Sequence, residues 1–419
     1  MGSKIELFRD TKEFIVVVFV LLLIVATRLF FIYQDYTKLK SLDDYYYTTA
    51  YLSSVYNQRD GDLLLKLKAK DFDFFLKSRD KSIEPKVWVR ARIKLDKSTT
   101  FLDYLRGFYA RGNIVEIKER AFDKKELLRE KIASNHSSKE ISSFYNAIFL
   151  AEPLDRNLRE KISTLGASHL VALSGFHLGI LSIVIFAIFY LPYRVFQYYI
   201  APYRNQNIDL GFLTLVVLAF YIWFVGAQPA LLRAYGMIAV GWVILLLGYE
   251  LVSFRLLAVA LILIVAIFPK LLFSYAFLLS AGGVFYIFLI LKYFKDYSSW
   301  IVGLVVVPVG VFLLMFPISH YLFPNTSILQ LASPILSVAF VLFYPLTALL
   351  HIFNMGGAFD SFLDSLFMLA DNSVDVYMPK YLIVFYLVLS FGAIFNKKLF
   401  WLLLFLSAII TLWSIGLSI

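Results

Sequence analysis

The apolar positions of this chain follow two patterns. The first is a series of long unbroken runs. Phe14 to Tyr33 (FIVVVFVLLLIVATRLFFIY) is twenty residues long, enough to cross the hydrocarbon of a bilayer as a helix. Further spans are predicted near 169–191, 209–226, 231–249, 254–269, 271–291, 300–317, 327–351, 380–395 and 399–417. The second pattern is strict alternation. In Leu63-Leu64-Leu65-Lys66-Leu67-Lys68-Ala69-Lys70, Lys66, Lys68 and Lys70 share one face, with Leu65, Leu67 and Ala69 on the other. In Val87-Trp88-Val89-Arg90-Ala91-Arg92-Ile93-Lys94-Leu95, Trp88, Arg90, Arg92 and Lys94 share a face. Both stretches predict half-buried β-strands, and Asn113 to Lys118 predicts a third after the turn at Arg111-Gly112. Several short strands in so small a segment predict a small barrel of the OB type.

Composition sharpens this division. Of 419 residues, 60% are hydrophobic and 17% charged, more apolar surface than a soluble core can hide, so lipid is the solvent for much of the chain. The charges are segregated: residues 34–168 hold 26 Lys/Arg and 20 Asp/Glu, whereas the 251 residues after them hold 10 and 7. The predicted fold class is therefore a polytopic α-helical membrane protein with an inserted OB-like barrel. Its parts are a cytoplasmic N-terminus with an anchor helix (1–33), the barrel domain (34–122), an amphipathic helical connector lying along the membrane surface (123–168) and a multi-span domain (169–419). Lys4, Arg9 and Lys12 precede the anchor, which predicts a cytoplasmic N-terminus and a translocated, periplasmic barrel. Arg28, near the outer end, is expected to snorkel. The positive-inside pattern holds through the middle of the chain and fails near Asn396-Lys397-Lys398. Because 327–351 carries Pro334 and Pro345, it is read either as a segment that enters and returns or as a kinked span.

The net charge of +10 favours an anionic partner, lipid head groups or nucleic acid. On the barrel the basic faces have aromatic neighbours at Phe72, Phe74, Phe75 and Trp88. Cations neutralise phosphates while flat rings accept bases, the mixture that grips a single strand, although Lys and Arg also simply solvate an open sheet face. With no cysteine there is no disulfide and no thiolate site, and with no HExxH motif no metal site is expected.

Two polar elements interrupt the apolar region. In Ser168-His169-Leu170-Val171-Ala172-Leu173-Ser174-Gly175-Phe176-His177, a continuous helix would put His169, Leu173 and His177 on one face, either lining a path or bonding neighbouring helices. Ser174 and His177 are close enough in sequence for a Ser–His hydrolase, but Ala172 stands where a GxSG motif would have glycine. In Gly226-Ala227-Gln228-Pro229-Ala230-Leu231-Leu232-Arg233-Ala234, Pro229 starts a helix and Arg233 lies within an apolar span. Helix-start amides with a guanidinium make an anion site, unless Arg233 reaches lipid phosphates instead.

Together these residues resemble the ComEC family of competence proteins, inner-membrane channels for single-stranded DNA in natural transformation. The family's HLxAxSGxH core matches His169 through His177, including Ser174 and Gly175. Its Gly-x-x-Pro-x-x-x-Arg-Ala element matches Gly226, Pro229, Arg233 and Ala234, with Gln228 between, followed by Met237. Phe277-Leu278-Leu279-Ser280 is similar to a third element, with Leu278 where relatives usually carry Gln; Gln330 and Pro334 echo a fourth. Many relatives end in a metallo-β-lactamase-like domain; His136, His169, His177, His320 and His351 form no HxHxDH, so the resemblance is to a form without it.

The resemblance implies a non-enzymatic inner-membrane channel that passes single-stranded DNA into the cytoplasm. Its path would be lined by His169, Ser174, Gly175, His177, Gln228, Pro229, Arg233, Ser280, Gln330 and Pro334. The strand would be received through Lys66, Lys68, Lys70, Trp88, Arg90, Arg92 and Lys94. No cofactor is expected. No P-loop G-x-x-x-x-G-K occurs, so a cytoplasmic helicase or motor, a periplasmic DNA receptor and membrane lipids are the implied partners. The alternative is a polytopic transporter or flippase for another anionic substrate.

Overall fold

The computed structural model describes residues 10–42, 44–57, 62–80, 85, 87–120, 125–227, 229–247, 253–370 and 373–418. The chain divides into two compact units. The smaller comprises 10–124 and 261–278, and the larger is built from 125–260 and 279–419.

In the smaller unit the anchor run forms α1 (Thr11–Lys40), longer than a bilayer requires. Its C-terminal end continues into the barrel core, where Tyr36 and Leu39 are buried and the Tyr36 hydroxyl donates to the Thr99 carbonyl at 2.8 Å. The barrel strands are β1 (Tyr46–Asn57), β2 (Leu63–Lys68), β3 (Asp73–Ser78), β4 (Val87–Leu95) and β5 (Phe108–Arg120), with α2 (Phe101–Arg106) between β4 and β5. They close in the order β1-β2-β3-β5-β4. All neighbours are antiparallel except β3 and β5, which pair in parallel through Phe74–Phe108, Phe75–Tyr109 and Leu76–Ala110. This is a small closed barrel of the OB type, as the alternation predicts, but Arg111-Gly112 is not a turn: both residues lie inside the continuous β5, paired with Lys94 and Ile93. Leu65, Leu67, Val89, Ala91 and Ile93 are fully buried, as the period of two requires.

Gly112 is fixed by its surroundings, because a Cβ there would lie 1.8 Å from the Arg92 carbonyl oxygen. That oxygen is backbone of the paired strand and cannot move aside. Gly112→Ala should therefore destabilise the barrel on the order of 3 kcal/mol, seen as a lowered thermal unfolding midpoint of the full chain.

The start of α2 is closed by a capping box. Asp103 N–H donates to Thr100 Oγ1 at 3.2 Å, and Thr100 N–H donates to Asp103 Oδ2 at 2.9 Å. Hydrogen bonds from the Thr100 side chain, then its backbone, hold the Asp103 carboxyl below its ordinary 3.8. A depressed folded-state value makes this contribution present above the unfolded value and lost as pH falls through the folded one. Thr100→Ala should cost about 1 kcal/mol near neutral pH, with the difference from wild type shrinking on acidification, as read from unfolding midpoints.

Segment 261–278 packs within this unit. Val265, Ala266 and Phe277 cluster with Val25 of α1. The Arg28 guanidinium, expected to snorkel, donates to the Ala266 and Ile267 carbonyls at 3.2 and 2.9 Å. Those carbonyls end a helix and lack intrahelical partners, so the cation satisfies them directly.

The larger unit begins with α3 (Glu126–Ala133), α4 (Lys139–Leu150) and α5 (Arg156–Thr164). The expectation that this connector lies along a membrane surface fails for α4. Ile141, Phe144, Tyr145, Ala147, Ile148 and Leu150 are all buried, in one cluster with Phe340, Tyr344, Leu363 and Phe367. Apolar residues nearly all round a helix make it a core element. Next come α6 (Ser168–Val171), α7 (Gly175–Tyr199), α8 (Gln206–Phe224), α9 (Pro229–Leu246), α10 (Phe254–Ile267) and α11 (Tyr275–Tyr293). α12 (Ser299–Ile301) runs through a π turn into α13 (Val307–Leu322). The chain continues through β6 (Asn325–Thr326), α14 (Ser333–Ile352), α15 (Asp360–Met368), β7 (Val374–Asp375), α16 (Lys380–Gly392) and α17 (Lys397–Gly416).

Among the described residues seven helices are long and apolar enough to span a bilayer, and three shorter apolar helices accompany them. The protein is a multi-pass membrane protein. α14 passes unbroken through Pro345, so 333–352 alone does not enter and return. The return is made further along the chain, where β7 pairs with β6 through Asn325–Asp375 and Thr326–Val374. The backbone therefore leaves through α14 and comes back through α15 and an extended segment to where it started.

Candidate nucleic-acid interface and polar seam

On the outside of the barrel, strand pairing assembles one surface from three strands. Lys68 of β2 is opposite Tyr51 of β1, which is opposite Trp88 of β4, and the Tyr51 and Trp88 rings are 5.5 Å apart. Beside them the Arg90 guanidinium lies 5.5 Å from the Tyr47 ring and that of Arg92 4.2 Å from the Tyr45 ring. Lys66 reaches to 5.9 Å from the Phe75 ring, which stacks on Tyr109. Trp88 is exposed. Of the predicted cations Lys68, Arg90 and, in the turn after β2, Lys70 are exposed, whereas Lys66, Arg92 and Lys94 are half-buried. Two of the predicted rings are not at the surface: Phe72 and Phe74 point into the core, packed on Phe108. Their inward register follows from Leu76 and Phe108 claiming the same interior. The rings that do flank the cations are Tyr45, just before β1, and Tyr47 and Tyr51 within it. That strand escapes the sequence pattern, because Tyr45-Tyr46-Tyr47 shows no alternation in hydrophobicity.

In the larger unit the HLxAxSGxH stretch does not form one helix. It contains α6, a break at 172–174 and the start of α7. Ser174 is the N-cap of α7, accepting from Phe176 N–H at 3.3 Å, with its Oγ 3.4 Å from His177 Nδ1. His169 and His177 therefore do not share a helix face. His169 Nε2 meets Ser337 Oγ at 3.0 Å, and the buried His177 ring packs edge-on against Phe340 and Tyr344, with centroids 5.1 and 5.0 Å away. The serine oxygen thus serves as a helix cap, satisfying a backbone amide at the start of α7.

α14 and the turn before it extend this polar packing. Ser333 Oγ donates to the Gly166 carbonyl at 3.0 Å, and Gly166 is close enough that a Cβ would sit 3.2 Å from Gln330 Cα. The Gln330 amide donates to the Ser163 and Asn325 carbonyls at 3.3 and 3.0 Å. Its Oε1 lies 3.1 Å from His320 Nε2, and His320 Nδ1 lies 3.0 Å from the Phe316 carbonyl. On the other side a Cβ at Gly175 would meet Ala234 Cβ at 3.3 Å. This places the start of α7 against α9 beside Arg233, which is 5% exposed. His169, Ser174, Gly175, His177 and Gln330 thus belong to one polar seam formed by α6, the start of α7 and the turn leading into α14. The buried Arg233 lies beside it on α9, next to Ala234, and Pro334 follows Ser333 at the start of α14.

Ser280 is not joined to the seam. It sits on α11, which packs through Tyr286, Leu289 and Ile290 against Leu314, Tyr386 and Phe400. Pro229 opens α9, and Gln228 lies outside the described residues. His320, Ser337 and Tyr344 carry no signal in the sequence, because each stands alone in an apolar run without a motif to mark it.

A bundle of long apolar helices together with a closed OB-type barrel bearing a cationic, aromatic surface defines a multi-pass membrane protein with a small β-barrel domain. Comparison with family models agrees: residues 151–417 match the competence protein family, and the chain belongs to it. The family has a role in DNA uptake at the membrane. The match contains the whole seam and leaves the barrel outside. Neither the curated proteins nor the solved structures yielded a match.

Proposed function

We propose that this protein conducts single-stranded DNA across the inner membrane into the cytoplasm during natural transformation. The barrel, on the periplasmic side, captures the strand; Lys66, Lys68, Lys70, Arg90, Arg92 and Lys94 pair with phosphates while Trp88 and Tyr51 stack with bases. The seam, with Arg233 beside it, lines or gates the passage, since a buried guanidinium beside a helix start lowers the cost of a phosphate inside an apolar wall. The protein acts as a conduit without chemistry of its own. A cytoplasmic helicase or motor supplies the work, and a periplasmic receptor delivers the DNA.

The observation that carries this reading is the Lys68–Tyr51–Trp88 row flanked by Arg90 and Arg92, which joins charge and stacking rings on one exposed surface. Fluorescence anisotropy of a labelled oligonucleotide with the full-length protein in nanodiscs, across a salt series, tests it. Affinity that falls steeply with salt supports capture through phosphates. No binding even at low salt sinks it in favour of a transporter for another anion.

A further inference from the structure

Away from the seam, three titratable side chains form a hydrogen-bonded row within the larger unit. His136, just after α3, has Nδ1 2.9 Å from Asp360 Oδ1 and 3.1 Å from Oδ2. Its Nε2 lies 3.0 Å from His351 Nε2, and His351 Nδ1 lies 2.7 Å from the Thr347 carbonyl. The His136 side chain is fully enclosed, and the Tyr145 ring stacks parallel to it at 4.5 Å. His351 is buried with Phe149 5.2 Å away. The turn between α14 and α15 closes on the row: a Cβ at Gly356 would lie 2.7 Å from His351 Nε2, and Gly356 N–H donates to Asn135 Oδ1 at 3.2 Å.

The row needs one hydrogen more than its ordinary protonation state holds. Its three links, Asp360 to His136, His136 to His351 and His351 to Thr347, each require one hydrogen. A carboxylate and two neutral imidazoles supply two. His136 uses its one N–H toward Asp360, and His351 uses its one toward Thr347, whose carbonyl only accepts. Two nitrogen lone pairs would then face each other at 3.0 Å. Moving the hydrogens does not help; wherever they sit, one link stays empty.

We propose that the row is a binding site for one proton, shared between His136 and His351 with Asp360 as its counter-charge. With the proton in place all three links are made and the group is electrically neutral, which is what burial demands. The other titratable group facing the row, among the described residues, is Tyr145 of α4. Burial, and secondarily Asp360, pushes its ionisation well above the ordinary value, so it brings no charge at neutral pH. The proton acts as a clasp. It joins the connector at Asn135-His136 to the α14–α15 turn, two segments more than 200 residues apart in sequence. Its loss sets lone pair against lone pair and loosens that joint. The site is independent of what the protein conducts.

The test uses Asp360→Asn in the full chain in nanodiscs. An asparagine amide can donate to His136 Nδ1, which frees the His136 hydrogen for Nε2 and completes the row without the extra proton. Thermal unfolding of both proteins is followed between pH 6 and pH 9. Relative to Asp360→Asn, wild type should lose stability as pH rises through the folded-state pKa, by about tenfold in the unfolding constant per pH unit for one proton. Parallel curves would overturn the proposal. A second measurement needs no variant: nitrogen-15 histidine NMR at pH 7 should show a through-hydrogen-bond coupling between one nitrogen of each of two imidazole rings. Its absence, with both rings neutral, would equally refute the shared proton.

Discussion

Replacing Arg90 and Arg92 together by glutamate should lower the affinity of the full-length protein for single-stranded oligonucleotide about hundredfold at low salt. The dependence of log affinity on log salt should flatten by about 1.4, since each phosphate no longer neutralised removes about 0.7 from the slope. Both side chains lie on the outside of β4, over Tyr47 and Tyr45, so the barrel core of Leu65, Leu67, Val89 and Ile93 is untouched. Trp88→Ala separates the two halves of the interaction. It should weaken binding roughly tenfold or more, given about 1–3 kcal/mol per stacked base, yet leave the salt slope unchanged. If the double reversal left both affinity and slope intact, the cations would be solvating a sheet face and the barrel would need another ligand.

Arg233→Ala should abolish the appearance of labelled DNA inside the cell while leaving its capture outside the membrane intact. The substitution removes a buried positive charge at the point where α7 meets α9. Arg233→Lys should restore part of the uptake, since a conduit for phosphates needs the charge more than the planar fork. Ser174 provides the contrast. Its side chain caps α7, so Ser174→Ala should cost about 1 kcal/mol of stability and only part of the uptake. Ser174→Asn, which caps without being a nucleophile, should recover it. A hydrolase would lose all activity in both Ser174 variants, and transformation counts with expression controls distinguish these outcomes. Uptake that tolerated Arg233→Ala would remove the seam from the path.

The chemistry of single positions is legible locally. Alternation at 63–70 and 87–95 states which side chains face a core, and β2 and β4 bury those residues. The apolar runs are helices of the expected order. The extension of α1 to Lys40, and the break that separates His169 from His177, are not legible. The first depends on Tyr36 finding the barrel core. The second depends on Ser174 capping a helix, which outcompetes continuing one through Ala172-Leu173. Proline content at 327–351 points to irregular backbone, and the structure places it at the two ends of α14, in the 3-10 turn Ile328–Ala332 before it and in the return through α15 after it.

The sequence by itself determined where water, lipid and barrel interior meet the chain, because those preferences are written one residue at a time in period and hydropathy. Tertiary structure alone decided partnership. Closure through the parallel β3·β5 pair, the tyrosines of β1 set between Lys68 and Trp88, and the packing of α6 and α7 on α14 each join residues far apart in sequence. So does the row from Asp360 through His136 to His351. Packing and hydrogen-bond valence act through space, and no local pattern records which distant group will complete them.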